Sequence, residues 1–83
     1  MTRSEIMVLE LLDENYMESC LYTLGVVNGT GLGRLAARRA IKSLVRRGYV
    51  ELSIVFDDDG MLAGSGYGCT PEGHAFARAK EDT

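Results

Sequence analysis

Six cationic side chains fall between Gly31 and Val50, and no carboxylate accompanies them. All twelve acidic residues lie outside this stretch, together with only three further cations. The stretch therefore carries +6 and the rest of the chain −9, which gives the net charge of −3. Guanidinium and ammonium groups gathered in this way bind phosphates or carboxylates, so the stretch predicts a polyanionic partner. The six are Arg34, Arg38, Arg39, Lys42, Arg46 and Arg47.

The residues that could bind a metal or perform catalysis are too scattered to do either. Cys20, Cys69 and His74 are the soft or imidazole ligands available, whereas a zinc site needs about four. We interpret both cysteines as small buried thiols, and His74 as a surface or half-buried histidine without a catalytic partner. Asp57-Asp58-Asp59 lacks the spaced ligands of a calcium loop and is predicted to be a solvated turn. We therefore expect a protein that is not an enzyme and has neither metal nor cofactor.

Length and composition predict one domain, residues 1–83. Hydrophobic residues make up 46 % of the chain, which is ordinary for a globular protein with a thin core. No apolar run approaches the roughly 20 residues that cross a bilayer. The first residues also lack the uninterrupted apolar segment of a signal peptide. The expected location is the cytoplasm, with no membrane contact.

The hydrophobic pattern predicts an α+β domain of four helices and two strands. Apolar residues recur at helical spacing in four segments, and β-branched and aromatic residues are concentrated before the Asp57–Gly60 turn. Ser4 and Thr70 are the expected caps of the first and last helices, and Gly48 is expected to end the third. A brief extended piece is expected at Asn15–Met17. The predicted helices span about 5–14, 18–26, 33–47 and 71 onward, and the strands 49–56 and 61–69.

Helical spacing also predicts which residues face the core. The first helix has one polar residue, Glu10, between Ile6 and Leu12, so it needs cover on more than one side, from a second element or a second subunit. The inward residues of the later helices are predicted to be Leu21 and Leu24, then Ala37, Ala40, Ile41, Leu44 and Gly48, then Ala75, Phe76 and Ala79.

The outer side of the third helix is a row of cations. Like charges at Arg34–Arg38, Arg38–Lys42 and Lys42–Arg46 each cost a few tenths of a kcal/mol, which a solvated helix normally avoids. The favoured interpretation is a nucleic-acid recognition helix, because a helix fits the major groove and arginine suits guanine and phosphate. The alternatives are a solvated face neutralised by acidic residues of the first helix or of the turn, and a surface that docks on an acidic protein or a membrane.

The order of these elements resembles the winged helix-turn-helix domain of small bacterial, archaeal and phage transcription regulators of the MarR, PadR and Lrp-like groups. Two segments carry the resemblance. Thr30-Gly31-Leu32, the third helix and Leu44–Val50 are similar to a recognition helix that runs into the first wing strand. Tyr67–Gly73 is similar to the strand end and the Thr-Pro-Glu-Gly opening of the last helix. The resemblance implies a three-helix core, a two-stranded β-wing and a short C-terminal helix.

The resemblance also implies which residues meet DNA. The chain departs from the family pattern at two positions of the recognition helix and in the wing, whose tip is acidic where family wings often carry Arg or Lys. Gly33 stands where a Ser or Thr commonly caps the recognition helix, and Leu35 stands where a polar base-reading residue is common. Carried over position by position, the residues directed to the major groove are Arg34, Leu35, Ala36, Arg38, Arg39 and Lys42, with Arg46 toward the backbone.

Two functions follow as expectations. The first is a DNA-binding transcriptional regulator that binds double-stranded DNA as a homodimer. A second subunit would cover the apolar first helix, and one copy alone would contact few phosphates. The second is a winged-helix protein-interaction module, such as an anti-repressor or an accessory factor of replication or transcription. The acidic Asp57–Asp59 wing tip supports the second function. DNA phosphates would repel these carboxylates, whereas a protein partner need not carry such a negative charge.

Overall fold

Four helices and a two-stranded sheet make up the fold. The computed structural model describes residues 1–16, 21–56 and 58–81. The two strands pair antiparallel, with Val50 opposite Cys69 and Leu52 opposite Tyr67. The predicted α+β class and the order of its helices and strands are confirmed. The elements are α1 (Arg3–Glu14), α2 (Thr23–Thr30), α3 (Arg34–Arg46), β1 (Val50–Phe56), β2 (Leu62–Cys69) and α4 (Pro71–Glu81).

The core is built around α1, which contacts every other helix and β2. Val8, Leu9 and Leu12 of α1 are almost completely buried. Each such side chain contributes about 1.5–3 kcal/mol by leaving water, so this helix holds the others together. The predicted inner side of α3 is confirmed at its four helical positions, whereas Gly48 is exposed because it lies beyond the end of the helix. The remaining core residues are Val26, Ala37, Ala40, Ile41, Leu44, Val50, Cys69 and Ala77.

The cap of α1 is Thr2, so the predicted cap at Ser4 was wrong. Glu5 N donates to Thr2 Oγ1 at 3.2 Å, and Thr2 N donates to Glu5 Oε1 at 3.3 Å. Thr2 and Glu5 thus form a capping box, in which two otherwise unpaired N–H groups find partners. Ser4 has Met7 three residues later and cannot form this reciprocal pair.

Helix α2 begins five residues later and ends four residues later than predicted. Leu21 N donates to Tyr67 O at 2.9 Å, and Tyr67 N donates to Leu21 O at 2.8 Å. This bridge keeps the backbone extended up to Tyr22, the N-cap, so the predicted start at Glu18 was wrong. In the shifted helix Val26 faces the core, and Leu24 is 58 % exposed instead of inward. Of the extended piece expected at Asn15–Met17, Asn15 and Tyr16 form a turn. Residues 17–20, Cys20 among them, lie outside the described residues.

Helix α4 has the predicted cap, but the face that it turns to the core differs from the predicted one. Gly73 N donates to Thr70 Oγ1 at 3.0 Å, which confirms Thr70 as the cap. The half-buried Phe76 stacks on Tyr49 with ring centroids 4.9 Å apart. Ala75 and Ala79, predicted to face inward, are exposed. Contact between Gly73 and the backbone of Tyr49 turns the helix so that Ala77 is the alanine that enters the core.

Candidate nucleic-acid interface

Helices α2 and α3 are joined by a tight turn, residues 31–33. Gly31 has φ 76°, in the left-handed region that favours glycine. Thr30 Oγ1 donates to Val26 O at 2.7 Å and accepts from Leu32 N at 3.2 Å. These bonds satisfy groups at the end of α2 and fix the path of the chain into α3. The two helices pack on each other and on α1, so α3 is positioned with one side outward.

Five cations form a continuous basic ridge along the outward side of α3, and all five are exposed. Within residues 1–16, 21–56 and 58–81, none of them has a carboxylate within the 4.0 Å of an ion pair. The alternative of a face neutralised by the chain's own acidic residues therefore finds no support in the described part of the chain. The basic ridge consists of Arg34, Arg38, Arg39, Lys42 and Arg46.

Leu35 and Ala36, the two uncharged residues expected at the interface, differ in exposure. Leu35 is 63 % exposed and lies among the cations. Ala36 is half-buried, at the edge of the ridge toward α1. Val45 was not predicted but is also exposed, on the side of α3 that faces the wing. The outward face of α3 is therefore a basic ridge with two apolar side chains, Leu35 and Val45, within it.

Arg47 is separated from the basic ridge by an ion pair. Its Nε lies 3.4 Å from Glu5 Oε2, and Ser43 Oγ donates to the same oxygen at 3.0 Å. Glu5 is 8 % exposed, and its carboxylate joins the start of α1 to the C-terminal end of α3. Sequence reasoning missed this contact, although the Thr2–Glu5 spacing is the signal of a capping box.

The environment of Glu5 favours its charged form. Burial by itself raises the pKa of this carboxyl, but the hydrogen bonds from Ser43 and Thr2 and the charge of Arg47 outweigh it. The net result is a pKa below the ordinary value of 4.5. Glu5 is therefore an anion at neutral pH, and it holds the C-terminal end of α3 against α1.

An open groove of about 500 Å³ lies between the second half of α3 and the sheet. Its walls are mainly apolar, and two cations of the basic ridge stand at its rim. The wing continues beyond the groove to a turn in which Asp58 and Asp59 are exposed, while Asp57 lies outside the described residues. The groove residues are Ile41, Val45, Leu52 and Tyr67, with Lys42 and Arg46 at the rim.

The other side chains that could take part in chemistry, His74 and Cys69, have structural roles. His74 Nδ1 lies 2.6 Å from Asp13 Oδ1, and the imidazole stacks on Tyr16 at 4.1 Å. The prediction of a half-buried His74 is confirmed. Burial, with a smaller contribution from the charge of Asp13, raises the pKa of the Cys69 thiol to about 11. Cys69 is therefore a protonated, buried thiol at neutral pH, as predicted.

Two further features concern residues 1–16, 21–56 and 58–81, the described part of the chain. No group of three or more His, Cys, Asp or Glu side chains there is arranged to hold a metal ion. No helix there has both the length and the apolar character that crossing a membrane requires.

Comparison with known proteins gives structural matches alone. The sequence matches no family model and no curated protein. A candidate DNA-binding protein from Ralstonia eutropha JMP134 superposes with a TM-score of 0.76 at 20 % identity, over 96 % of both chains. MepR of Staphylococcus aureus bound to DNA has a TM-score of 0.79 at 13 % identity. BpsR of Bordetella bronchiseptica, whose DNA binding is regulated by 6-hydroxynicotinic acid, has a TM-score of 0.78 at 21 % identity.

The extent of these matches identifies the fold. The superpositions with MepR and BpsR cover 99 % of this chain but 63 % and 58 % of theirs. The chain thus spans rather more than half of each of these two proteins and nearly all of the Ralstonia protein. The neighbours include regulators of the MarR group, one of those that the sequence resembles. With its helix-turn-helix, two-stranded wing and last helix, the chain has the winged helix-turn-helix fold.

Proposed function

We propose that the protein is a DNA-binding transcriptional regulator that inserts α3 into the major groove of double-stranded DNA. The observation that carries the proposal is the basic ridge, five exposed cations without a carboxylate partner in the described part of the chain. Support comes from the fold, since a similar solved structure is a complex of MepR with DNA. A helix about 10–12 Å across with its side chains fits the major groove, which is about 12 Å wide.

The residues on α3 suit different parts of the duplex. In helix-turn-helix proteins the N-terminal residues of the recognition helix contact base edges. Arg34 and Arg38 carry the planar fork that guanine and phosphate accept, and the exposed Leu35 matches the methyl group of thymine. Arg46, on the last turn, is assigned to the backbone. The proposed major-groove set is Arg34, Leu35, Ala36, Arg38, Arg39 and Lys42.

We further propose that two copies bind DNA together, at half-sites about one helical turn apart. One copy offers five ridge cations, and a second copy doubles the number of phosphates contacted. Most of the apolar surplus of α1 is covered within the folded chain. Ile6, Met7 and Leu11 are half-buried within this chain, so little of the helix is left for a second subunit to cover.

A protein-interaction module remains the second candidate because of the wing. Leu52, Ile54, Phe56 and Leu62 are exposed apolar side chains on it, and the turn beyond them carries exposed carboxylates. Phosphates repel a carboxylate, so this part of the wing suits a protein surface better than DNA. The two functions differ in the surface that they use, which makes them separable by mutation.

The test is the affinity of the double variant Arg39→Ala/Lys42→Ala for DNA sites selected from a random pool. Removing two ridge cations should weaken binding by about tenfold or more at moderate salt without unfolding the domain, since both side chains are exposed. Fluorescence anisotropy measures the affinity, and a circular dichroism melt checks the fold. The matched control is Arg78→Ala, which removes an exposed arginine of α4 outside the ridge.

Unchanged affinity in the double variant would exclude DNA binding through α3. Equal losses from the double variant and from Arg78→Ala would point to non-specific attraction by total charge. A chain that selects no sequence and does not bind DNA at moderate salt would favour the interaction module.

A further inference from the structure

One face of the wing is bare. Leu52, Ile54 and Phe56 alternate along β1 and therefore point to the same side of the sheet. The strand register shifts between Val55 and Phe56, and the extra residue that β2 has there places Leu62 opposite Phe56, on the same side. The four side chains are 57, 59, 62 and 67 % exposed, in the order Leu52, Ile54, Phe56, Leu62. We call these four residues the bare wing face.

Part of the opposite face of the wing is covered by the chain itself. Residues Leu21 and Tyr22 run beside β2, where Leu21 forms its bridge to Tyr67. A Cβ atom on Gly64 would lie 3.0 Å from the Tyr22 hydroxyl, so the aromatic ring rests directly on the strand. A contiguous apolar face that the chain leaves exposed is typical of a surface that binds another molecule.

The bare wing face leads into the groove beside α3. At its inner end, Val50 and Cys69 are paired and buried in the core. The next pair, Leu52 and Tyr67, lines the groove. One side of the sheet therefore changes from core, to groove, to bare surface as it approaches the turn.

The two ends of this surface carry opposite charges. Lys42 and Arg46 stand at the rim of the groove. Asp58 is an exposed carboxylate of the turn at the far end. An acidic partner would match the rim and be repelled by the turn, and a basic partner would do the reverse. A partner that matches both ends must carry the same two charges in the opposite order.

We propose that a second copy of this chain covers the bare wing face. The two wings pack face to face and antiparallel about a two-fold axis near Ile54, so that the apolar turn end of each wing lies over the groove of the other. Each Asp58 then approaches the partner copy's Lys42 and Arg46. A two-fold contact of this kind is self-complementary, which is the commonest symmetry among soluble oligomers.

The apolar area is sufficient for a weak dimer. Four large side chains that expose more than half of their surface present on the order of 400 Å² in each copy. Two copies with the groove walls and polar rims approach the roughly 1,000–1,200 Å² at the low end of specific interfaces. A contact of this size suits a reversible association better than an obligate dimer.

The pairing has a consequence that rests on the proposed function. Lys42 and Arg46 belong to the basic ridge, so the wing-to-wing dimer and DNA compete for the same two cations. The dimer is therefore a state of the protein without DNA, and DNA should dissociate it. The pairing itself does not depend on DNA binding and can be tested alone.

The experiment is sedimentation equilibrium of the 83-residue chain without DNA at low salt. We expect a reversible dimer whose dissociation constant rises by about tenfold or more in Phe56→Ser. The matched control is Leu24→Ser, because Leu24 is 58 % exposed but lies on α2. Both positions are exposed, and a thermal melt confirms that each variant is folded.

The charge order gives an independent test. Asp58→Lys should weaken the dimer, and adding Lys42→Glu should restore it, because the reversed charges again attract. A monomer at every concentration, a dimer insensitive to Phe56→Ser, or equal losses from Phe56→Ser and Leu24→Ser would each overturn the proposal. A monomer that still binds DNA through the basic ridge would leave the proposed function intact.

Discussion

Glu5 caps its own helix, α1, and also binds residues at the C-terminal end of α3. It closes the capping box of α1 with Thr2. It also accepts from Ser43 at 3.0 Å and pairs with Arg47 at 3.4 Å. A buried carboxylate is costly unless hydrogen bonds and an opposite charge compensate it, and Glu5 has both. The orientation of α3, and with it the basic ridge, depends on this side chain.

Glu5→Gln should lower the free energy of unfolding by about 1–3 kcal/mol near neutral pH, because Thr2, Ser43 and Arg47 lose a charged acceptor. The pKa of Glu5 is lowered in the folded protein, so its stabilisation is fully present above the ordinary value of 4.5. It is lost as the pH falls through the lower folded-state pKa. Urea unfolding at several pH values should therefore show a gap between wild type and variant that closes well below pH 4.5.

The control for this prediction is Glu10→Gln, which removes an exposed carboxylate of the same helix. It should change stability by no more than about 0.5 kcal/mol. A gap for Glu5→Gln that stays constant through the acid range would contradict the role of its charge.

Among the elements, α4 shows how one position can orient a helix. A Cβ atom on Gly73 would overlap the carbonyl oxygen of Tyr49 and lie 3.0 Å from Cys69 Sγ. A backbone neighbour cannot move aside as a flexible side chain can. Only glycine therefore lets α4 approach the backbone of Tyr49, just before β1, this closely, and the approach decides that Ala77 is buried while Ala75 and Ala79 are exposed.

Gly73→Ala should lower the free energy of unfolding by about 3 kcal/mol or more, as overpacking against backbone does. The matched control is Gly25→Ala in α2, where the nearest atom to the new Cβ is Leu21 Cβ at 3.6 Å. That change should be neutral or stabilising by about 0.5 kcal/mol, since alanine favours the helix. Chemical unfolding of both variants measures the difference, and similar effects at the two sites would contradict the packing argument.

The elements also differ in how well the sequence predicted them. Helix α3 was expected over 33–47 and spans Arg34–Arg46, because its charge and apolar periodicities are both local and agree with each other. Helix α2 was displaced because Leu21 pairs with Tyr67, a contact with a distant strand that local periodicity does not encode. Its exposed Leu24 follows from the same displacement.

At the scale of the whole molecule, the dominant feature is the separation of charge. The protein is acidic overall, with a net charge of −3, but its carboxylates do not neutralise the basic ridge in the described part of the chain. Glu5 and Asp13 instead pair with Arg47 and His74. Under the proposed function, the net negative charge of the remainder repels phosphate, so the ridge is the surface that DNA should approach.

Salt dependence reports this arrangement directly. If each copy neutralises three or four phosphates, log affinity should fall with log salt at a slope of roughly −3 to −4 per copy. Arg46→Ala should weaken binding about equally for all sequences and reduce that slope by about 1. Titration at several salt concentrations measures the slope, with Arg78→Ala as the control that leaves it unchanged. A slope near zero would contradict phosphate contact by the ridge.

The sequence by itself determined the class of fold, the span and inner side of α3, the cap of α4 and the concentration of cations on one helix. These features arise from interactions among residues close together in the chain, which periodicity and spacing record. The tertiary structure alone decided that Glu5 pairs with Arg47 and leaves five cations in the basic ridge, that Gly73 turns α4, and that the apolar side of the wing is exposed. Each of these depends on contacts between distant segments, whose geometry is set by how the helices and the sheet pack together.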